Sequence, residues 1–561
     1  MSILSNQPAM SEESTSEMEA ENQAADEERR ESLENTPVEV SLEEKDATDV
    51  TGAKHRLLDR LLYKGQLPRY AFPTDVATFH VFDKTSSGYQ TKFKYTPSQS
   101  LKVALSQYAP GREVVIDDSR YVSGAIYSRM ERDRFEAWQN TRLYAECGVC
   151  GYADTYDESE DGVEKDKLDT CPVCGSDQHG PYQRWMRPPG FAHPVDEDEE
   201  TSPDRFAART YATRAKLSAP SPTEREKWTN TTPRLRHHAT RKYLLVTNRG
   251  PQERGYNYCV GCGRIEPTAL GGNVHSSHEK PYPDENQVCE DRHTTSGLVL
   301  GTDFITDVLL LSFQVDDPVR LNPGALETGV ALRTISEALT LAAADLLEIE
   351  RGEVEAEFRP SMTHAGEQGL EAEIYMYDSL SGGAGFSRQA GSLGEELFRK
   401  ALDKLENCSD DCDASCYSCL RNFRNRLVHP HLDRFVGSSL LRYVLYDELP
   451  SLREERLKRS RKRLVEDLRR QADKSRIAIL TDETVEVTEV GGVHAPILIK
   501  HDEGRKKMVD LHHPLTPDYV VGKRFRKASE VSSDIEVEAI NELAVQKNLP
   551  SVTSRLLDSV Q

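Results

Sequence analysis

Two pairs of closely spaced cysteines are the first residues in this chain whose type and spacing indicate chemistry. Cys147 and Cys150 form "CGVC", Cys171 and Cys174 form "CPVC", and twenty residues separate the pairs. Two C-x2-C pairs at this separation are typical of a zinc ribbon, in which each pair supplies two thiolates to one tetrahedral ion. We therefore predict a structural zinc site, the alternative being four unpaired core cysteines.

A second group combines cysteine with histidine. Cys259 and Cys262 form another C-x2-C pair, and Cys289 follows after "HSSHEKPYP". Three thiolates need a fourth donor to complete a tetrahedron around zinc. The candidates are His275, His278 and His293. We favour His278, although a surface loop with incidental histidines is the alternative.

The third group places four cysteines within twelve positions. Cys408, Cys412, Cys416 and Cys419 follow the pattern C-x3-C-x3-C-x2-C. On a continuous helix the first and third would lie about 12 Å apart, which is too far for two ligands of one ion. The sequence therefore predicts a turn inside "SDDCDAS" and a zinc site with four thiolate ligands.

Cations follow this last cluster directly, at Arg421, Arg424 and Arg426. Four thiolates around one zinc ion carry a net charge of about −2, which neighbouring guanidinium groups can offset. Arginine clusters also bind phosphate groups. Both interpretations remain open at the level of sequence.

The composition indicates several folded parts and an acidic tail. The chain has 561 residues, of which 37% are hydrophobic and 29% charged. Its first fifty residues hold fifteen acidic side chains against three basic ones, a net charge of −12 out of −23 for the chain. We predict that residues 1–55 are a disordered acidic tail.

Cysteine usage indicates a reducing compartment. The start "MSILSNQPAM" lacks the basic and apolar parts of a secretory signal, and no apolar run approaches the length of about 20 residues that a membrane helix needs. We therefore expect a cytoplasmic protein without membrane contact, in which clustered thiols bind metal.

The region around the third cluster resembles a known family. "YDSLSGGAGFSRQ" at 377–389, the four cysteines, and "CLRNFRNRLVHPHLDR" together resemble the MrfA-like zinc-binding domain of certain superfamily-two DNA helicases. "LGTDFITDVLLLSF" from Leu300 resembles the strand that enters that domain, and "LRTISEALTLAAADLLEIERGEVEAEF" resembles its first long helix. The resemblance spans residues 56–435.

The chain contains neither a G-x-x-x-x-G-K-[ST] phosphate loop nor an acidic Asp-Glu helicase box. We therefore predict that it is not an enzyme. A chain of this kind resembles the DrmB family of DISARM anti-phage systems. That resemblance implies DNA binding, a DrmA-like helicase subunit as partner, and a scaffolding role.

We predict an α+β multidomain fold with a zinc ribbon and an MrfA-like zinc-binding domain. The predicted parts are a disordered acidic tail (1–55), a helicase-associated α/β segment (56–140), the zinc ribbon (141–180), a polar insert or linker (181–240), the MrfA-like zinc-binding domain with the site of three cysteines and one histidine (241–435), a basic helix (436–478) and a small β-containing region (479–561).

Two further stretches have competing interpretations. The glycines of "SGGAGF" at 381–386 favour a tight turn over a nucleotide site, with Asp378 as a turn or capping residue. The stretch 452–476 carries eleven basic and five acidic residues, which fits either a solvated helix face or a DNA contact. The rival functions are a zinc-dependent nuclease, with an open middle site beside Glu279, and a protein-only zinc adaptor.

Overall fold

The chain divides into two units, Met1–Arg56 and Leu57–Gln561, and the described residues belong to the second. The computed structural model describes residues 75–560 apart from 84, 87–90, 158–169, 198–210, 219–227, 271–273, 291–292, 362–369, 473–476, 488–489, 503, 518–524, 526, 529 and 531–534. The predicted acidic tail, residues 1–55, lies outside the described residues.

The described ranges combine strands and helices, as an α+β chain should. The strands are β1 (Val76–Phe82), β2 (Phe93–Tyr95), β3 (Ser98–Ser100), β4 (Glu113–Ile116), β5 (Ser119–Val122), β6 (Ala125–Ile126), β7 (Arg142–Glu146), β8 (Ala153–Tyr156), β9 (Gln183–Met186), β10 (Phe191–Ala192), β11 (Lys216–Leu217), β12 (Thr229–Thr232), β13 (Leu235–Asn248), β14 (Tyr256–Cys259), β15 (Ile265–Pro267), β16 (His278–Glu279), β17 (Val288–Cys289), β18 (Thr294–Gln314), β19 (Val354–Ser361), β20 (Glu371–Asp378), β21 (Ile477–Val487), β22 (Gly491–His501), β23 (Lys506–His512) and β24 (Ile535–Asn541). The α-helices are α1 (Leu101–Gln107), α2 (Glu131–Gln139), α3 (Leu326–Leu347), α4 (Phe386–Ser392), α5 (Glu395–Glu406), α6 (Arg434–Tyr446), α7 (Glu454–Ala472), α8 (Glu542–Lys547) and α9 (Leu549–Asp558).

The largest sheet is built around β18. It has eleven strands, with the order β11-β13-β18-β9-β7-β8 and with β12, β14, β15, β19 and β20 paired alongside. Alternate side chains of β18 enter two different cores: Leu309 and Leu311 join one, and Val308 and Leu310 join the other. Because both faces are covered, the strand reads as the continuous apolar run "VLLLSF" and does not alternate with polar residues.

Helix α3 covers one face of this sheet. Its sequence is rich in alanine and leucine, which favour helix, and it is apolar on most sides because strands and helices surround it. Leu332, Ile335 and Leu339 are fully buried in the core that α3 shares with α5 and α6. Truncating Leu339 to alanine would remove about 2–5 kcal/mol of stability through lost contacts and a cavity.

The other face of the sheet carries a smaller sheet with the order β2-β1-β10-β6, in which β1 and β10 run parallel with Phe79 opposite Phe191. Strands β9 and β10 lie within 181–240, so the described part of that segment is more than the predicted polar insert or linker. The apolar residues of "QRWM" account for the difference, because Trp185 and Met186 are fully buried.

The C-terminal part forms a separate sheet with the order β21-β22-β23-β24. Helix α7 lays its apolar stripe on this sheet, so that Leu464 and Leu468 pack in one core with Ile497 and Ile499. The predicted basic helix of 436–478 is therefore two helices, α6 and α7, of which the second belongs to the C-terminal sheet. Among the helices described, none is long and apolar enough to cross a membrane.

Candidate metal centres

The first pair of cysteine turns forms one four-sulfur group. Cys147 and Cys150 lie in the turn between β7 and β8, and the Sγ atoms of Cys147 and Cys174 are 3.5 Å apart, as are those of Cys150 and Cys171. Sulfurs bound to one tetrahedral zinc ion lie about 3.8 Å apart, given Zn–S bonds of about 2.3 Å. The four donors therefore fit zinc.

Glycine follows three of the C-x2-C pairs and shapes each turn. The N–H groups of Gly151, Gly175 and Gly263 donate to the carbonyls of Cys147, Cys171 and Cys259 at 2.8–2.9 Å. All three glycines have φ between +66° and +84°, a region that other residues rarely adopt. The sequence pattern C-x2-C-G is therefore a more specific indicator of this metal-binding turn than the C-x2-C spacing alone.

The middle group brings three cysteines together with His278. Cys259 Sγ is 3.8 Å from Cys289 Sγ, and Cys262 Sγ is 3.2 Å from His278 Nε2. His278 Nδ1 lies 2.8 Å from the carbonyl oxygen of Ser276, so Nδ1 carries the proton and donates. This hydrogen bond leaves the lone pair of Nε2 facing the thiols, as a zinc ligand requires.

The other candidate histidines lie apart from this group. His275 is exposed, and its Nδ1 and Nε2 are 2.7 Å and 2.9 Å from the hydroxyl oxygens of Thr294 and Ser296. His293 is exposed and lies outside the four-donor group. The favoured choice of His278 therefore agrees with the geometry.

The same geometry bears on the nuclease hypothesis. All four donors of the middle group are buried, whereas Glu279 is exposed. A catalytic zinc site keeps one position open for water, but four protein donors complete the tetrahedron here. The middle site is therefore suited to structural zinc.

The third group lies between α5 and α6. The Sγ atom of Cys408 is 3.7 Å from that of Cys412 and 3.5 Å from that of Cys416, and Cys419 lies 3.7 Å from both Cys412 and Cys416. The chain turns inside "SDDCDAS", where Asp411 has a positive φ of 41°. In contrast to the other two groups, all four cysteines are partly exposed.

In all three groups the donor atoms lie within 4.8 Å of one another. The donor sets are Cys147, Cys150, Cys171 and Cys174; Cys259, Cys262, His278 and Cys289; and Cys408, Cys412, Cys416 and Cys419. Thiolate and imidazole donors at these distances are the ligands that structural zinc prefers. The described part of the chain thus carries three zinc-binding sites, two with four cysteines and one with three cysteines and a histidine.

The arginines beside the third group divide by role. Arg434 is 1% exposed and donates to the carbonyls of Cys412 and Glu406 and to the carboxylate of Asp411, so it holds the cysteine loop against α5. Arg424 and Arg426 are exposed. Among the described residues, neither of these two guanidinium groups forms an ion pair.

The glycine-rich turn at 381–386 has a structural role, as predicted. The buried carboxylate of Asp378 accepts hydrogen bonds from the N–H groups of Ala384, Phe386 and Ser387 at 2.7–3.1 Å, and from the hydroxyl of Ser387 at 2.6 Å. These bonds fix the start of α4 and occupy both carboxylate oxygens.

The cations of helix α7 are largely paired within the chain. Arg461 contacts Asp510, Arg459 contacts Asp413, and Lys458 contacts Glu454. This pairing favours the solvated or packed face over a DNA contact, because these cations already have acidic partners within the chain.

Part of the chain is similar to proteins of helicase and defence systems. Residues 335–420 match the MrfA Zn-binding domain. The Druantia protein DruE of Escherichia coli (strain UMEA 4076-1) is 30% identical over 493 residues, which cover 82% of this chain and 26% of that protein. The chain therefore spans about a quarter of the length of this curated relative, and it is related to a protein of anti-phage defence.

Solved structures of the DUF1998 helicase MrfA are also similar. The DNA-bound structure has a TM-score of 0.31 and 12% identity, over 64% of this chain and 33% of that chain. The structure without DNA has a TM-score of 0.23 and 10% identity, over 62% and 32% of the two chains. The structure with DNA and AMPPNP has a TM-score of 0.24 and 10% identity, over 63% and 30%.

The prediction that the chain is not an enzyme is wrong. The stretch that this chain matches is only about a quarter of the defence protein DruE. The prediction rested on the absence of the phosphate loop and the acidic box from this sequence. Motifs missing from a stretch that spans a quarter of a relative do not classify the whole protein.

Proposed function

We propose that this chain acts in anti-phage defence as the zinc-braced DNA-handling part of a superfamily-two helicase. The observation that carries the proposal is the 30% identity with DruE over 493 residues, which extends far beyond the matched zinc-binding domain. The three zinc sites support this role as structural elements, because closed sites brace loops where little apolar core is available.

DNA binding by this chain has to be local. A net charge of −23 repels a polyanion at long range, so that contact depends on exposed cations in one place. The region after the third zinc group offers such cations, whereas most of those of α7 have acidic partners. We therefore place the DNA-facing side at the third zinc group.

The helicase motor completes the proposed machine. In a DISARM-like arrangement a separate DrmA-like helicase subunit supplies it, and in a second arrangement it lies in the same polypeptide as the equivalent of this chain. The match to DruE favours the second arrangement. In both arrangements this chain contacts DNA beside the motor and scaffolds it.

The proposal is tested by purifying the tagged protein from its native host at moderate salt and identifying by mass spectrometry what is bound to it or fused to it. We expect a helicase motor in equal amount, and ATP hydrolysis that DNA stimulates. Recovery of a folded, zinc-loaded chain with no motor, no DNA binding and no ATP hydrolysis would contradict the proposal.

A protein-only zinc adaptor is the second candidate, and the pairing of the α7 cations favours it. An adaptor would copurify with the same motor, yet the motor would bind DNA equally well with and without it. Salt-dependent DNA binding that requires this chain would exclude the adaptor.

A further inference from the structure

Three large apolar side chains are left in solvent beside the third zinc group. Tyr417 is 69% exposed, Phe423 is 75% exposed and Leu427 is 60% exposed. Single exposed apolar residues are common, but three within eleven positions of one loop indicate a contact surface. We call residues 417–431 the stacking loop.

Buried hydrogen bonds fix the backbone of the stacking loop against α3. Asn425 is 2% exposed, and its side-chain amide donates to Glu337 on α3 and to the carbonyl of Leu420, both at 2.9 Å. Asn422 and Asn425 also accept hydrogen bonds from each other's N–H groups at 2.9 Å and 3.0 Å. Phe423 is thus exposed by a fixed backbone, which lowers the entropic cost of binding.

The aromatic rings are linked within the loop. The ring of Tyr417 meets that of His429 edge to face at 5.6 Å, and His429 Nε2 is 3.1 Å from the carbonyl oxygen of Asn422, next to Phe423. His429 therefore links the ring of Tyr417 to the residue that precedes Phe423.

Two exposed arginines, Arg424 and Arg426, follow Phe423 in the loop. The guanidinium carbon of Arg426 is 4.6 Å from the centroid of the Phe423 ring. Arg424 lies against Gly352, where an added Cβ would clash with its guanidinium group. Neither arginine is paired with an acidic side chain in the described part of the chain, in contrast to most cations of α7.

We propose that the stacking loop binds single-stranded DNA, with bases stacking on Tyr417 and Phe423 and with Arg424 and Arg426 contacting phosphates. The inference rests on the proposed function, which supplies DNA as the polymer. Exposed rings beside unpaired cations fit a single strand, because only unpaired bases offer their faces for stacking. A duplex would use the cations alone and leave the rings in water.

The test compares two fluorescent probes, oligothymidylate of about 12 nucleotides and an abasic deoxyribose-phosphate chain of equal length. It uses the full chain, with fluorescence anisotropy as the readout. We expect Phe423→Ala to weaken oligothymidylate binding by about 10-fold while binding of the abasic chain changes by less than about 2-fold. Phe423→Trp should retain the affinity of the wild type for both probes.

Arg424→Glu should weaken both probes and reduce the salt dependence by about one phosphate contact. Leu270→Ala is the matched control, because Leu270 is also 60% exposed but lies in a different part of the chain. It should leave both affinities unchanged. Zinc content and circular dichroism of each variant report whether the fold is retained.

The outcomes separate this inference from the proposed function. If the wild-type chain binds neither probe, the proposed function fails together with the inference. If the wild type binds oligothymidylate and Phe423→Ala binds it equally well, stacking on the loop is refuted while DNA binding by the chain stands. The same holds if Phe423→Ala lowers the affinity for both probes to the same extent.

Discussion

The middle and the third zinc sites use similar ligands in opposite surroundings. Every donor of the middle site is buried, and Val274 and Tyr282 pack against it. Every cysteine of the third site is partly exposed, and the loop after it carries side chains into solvent. The ion of the middle site therefore substitutes for apolar core, whereas the ion of the third site fixes a loop whose outer surface is free to bind.

The largest expected effect comes from the buried site. Cys262→Ser removes one thiolate from a site that replaces core, so zinc is lost and the strands around it lose their support. We expect a loss of at least about 4 kcal/mol in unfolding free energy, measured by denaturant titration together with zinc content. A variant that lost the zinc and kept its stability would show that the two sites do not differ in this way.

The next largest loss of stability is expected from Arg456→Met, which removes a buried ion pair at the start of α6, the helix that follows the third zinc site. Arg456 is buried and forms ion pairs with Asp433, which caps α6, and with Glu542, at 2.7–2.8 Å. The substitution leaves two buried carboxylates unpaired, and we expect a cost of about 3–5 kcal/mol.

Its matched control is Arg459→Met, because Arg459 lies on the same helix and pairs with Asp413 at the surface. We expect this change to stay within about 0.5 kcal/mol. Equal effects of the two substitutions in thermal unfolding would mean that burial does not determine the contribution of these pairs.

A smaller loss of stability is expected from Cys416→Ser at the exposed site. One equivalent of zinc should be lost and the loop should open locally, at a cost of about 2 kcal/mol. DNA affinity should fall although most of the fold remains. Hydrogen exchange should show faster exchange confined to the residues near the third site, and faster exchange throughout the chain would contradict the separation of the two sites.

The smallest effect concerns acid sensitivity near the middle site. Burial, together with the positive charge of Arg129, lowers the pKa of His80 to about 4, and His80 packs on Tyr127, a neighbour of Tyr282. The neutral form is therefore favoured in the folded state, so its stabilising contribution is complete above a pH of about 6.5 and is lost as the pH falls from there towards 4.

His80→Phe should remove the loss of stability that protonation of His80 causes at acid pH. Between pH values of about 7.5 and about 5.5 the wild type should lose about 1 kcal/mol more stability than the variant, as measured by urea unfolding at both pH values. Parallel pH profiles would show that His80 does not contribute and that protonation of zinc thiolates accounts for the acid sensitivity.

The sequence predicted what local spacing determines. The cysteines of each C-x2-C pair are brought together by a turn of a few residues. For Cys408 and Cys416, the distance along a helix was enough to exclude a continuous helix. The favoured fourth ligand, His278, lies opposite Cys289 in the β16–β17 pair. Asp378 also acts within nine positions of its partners, so its role was readable from "SGGAGF".

Long-range contacts could not be predicted in the same way. Arg461 meets Asp510 on a strand far along the chain, and only the fold reveals that this cation is occupied. The exposure of Phe423 was equally unpredictable, because an aromatic residue in a sequence usually indicates core. The strands at 183–192 were missed because a few buried residues lie among polar ones.

The decisive measurement is ATP-dependent strand separation by the helicase-containing protein purified with this chain, comparing the wild type with Arg424→Glu. We expect Arg424→Glu to leave zinc content and basal ATP hydrolysis unchanged. The rate of strand separation should fall by about 10-fold, because the loss of one phosphate contact limits DNA loading. An unchanged rate of strand separation, with the same dependence on salt as the wild type, would contradict the claim that this chain handles DNA beside the third zinc site.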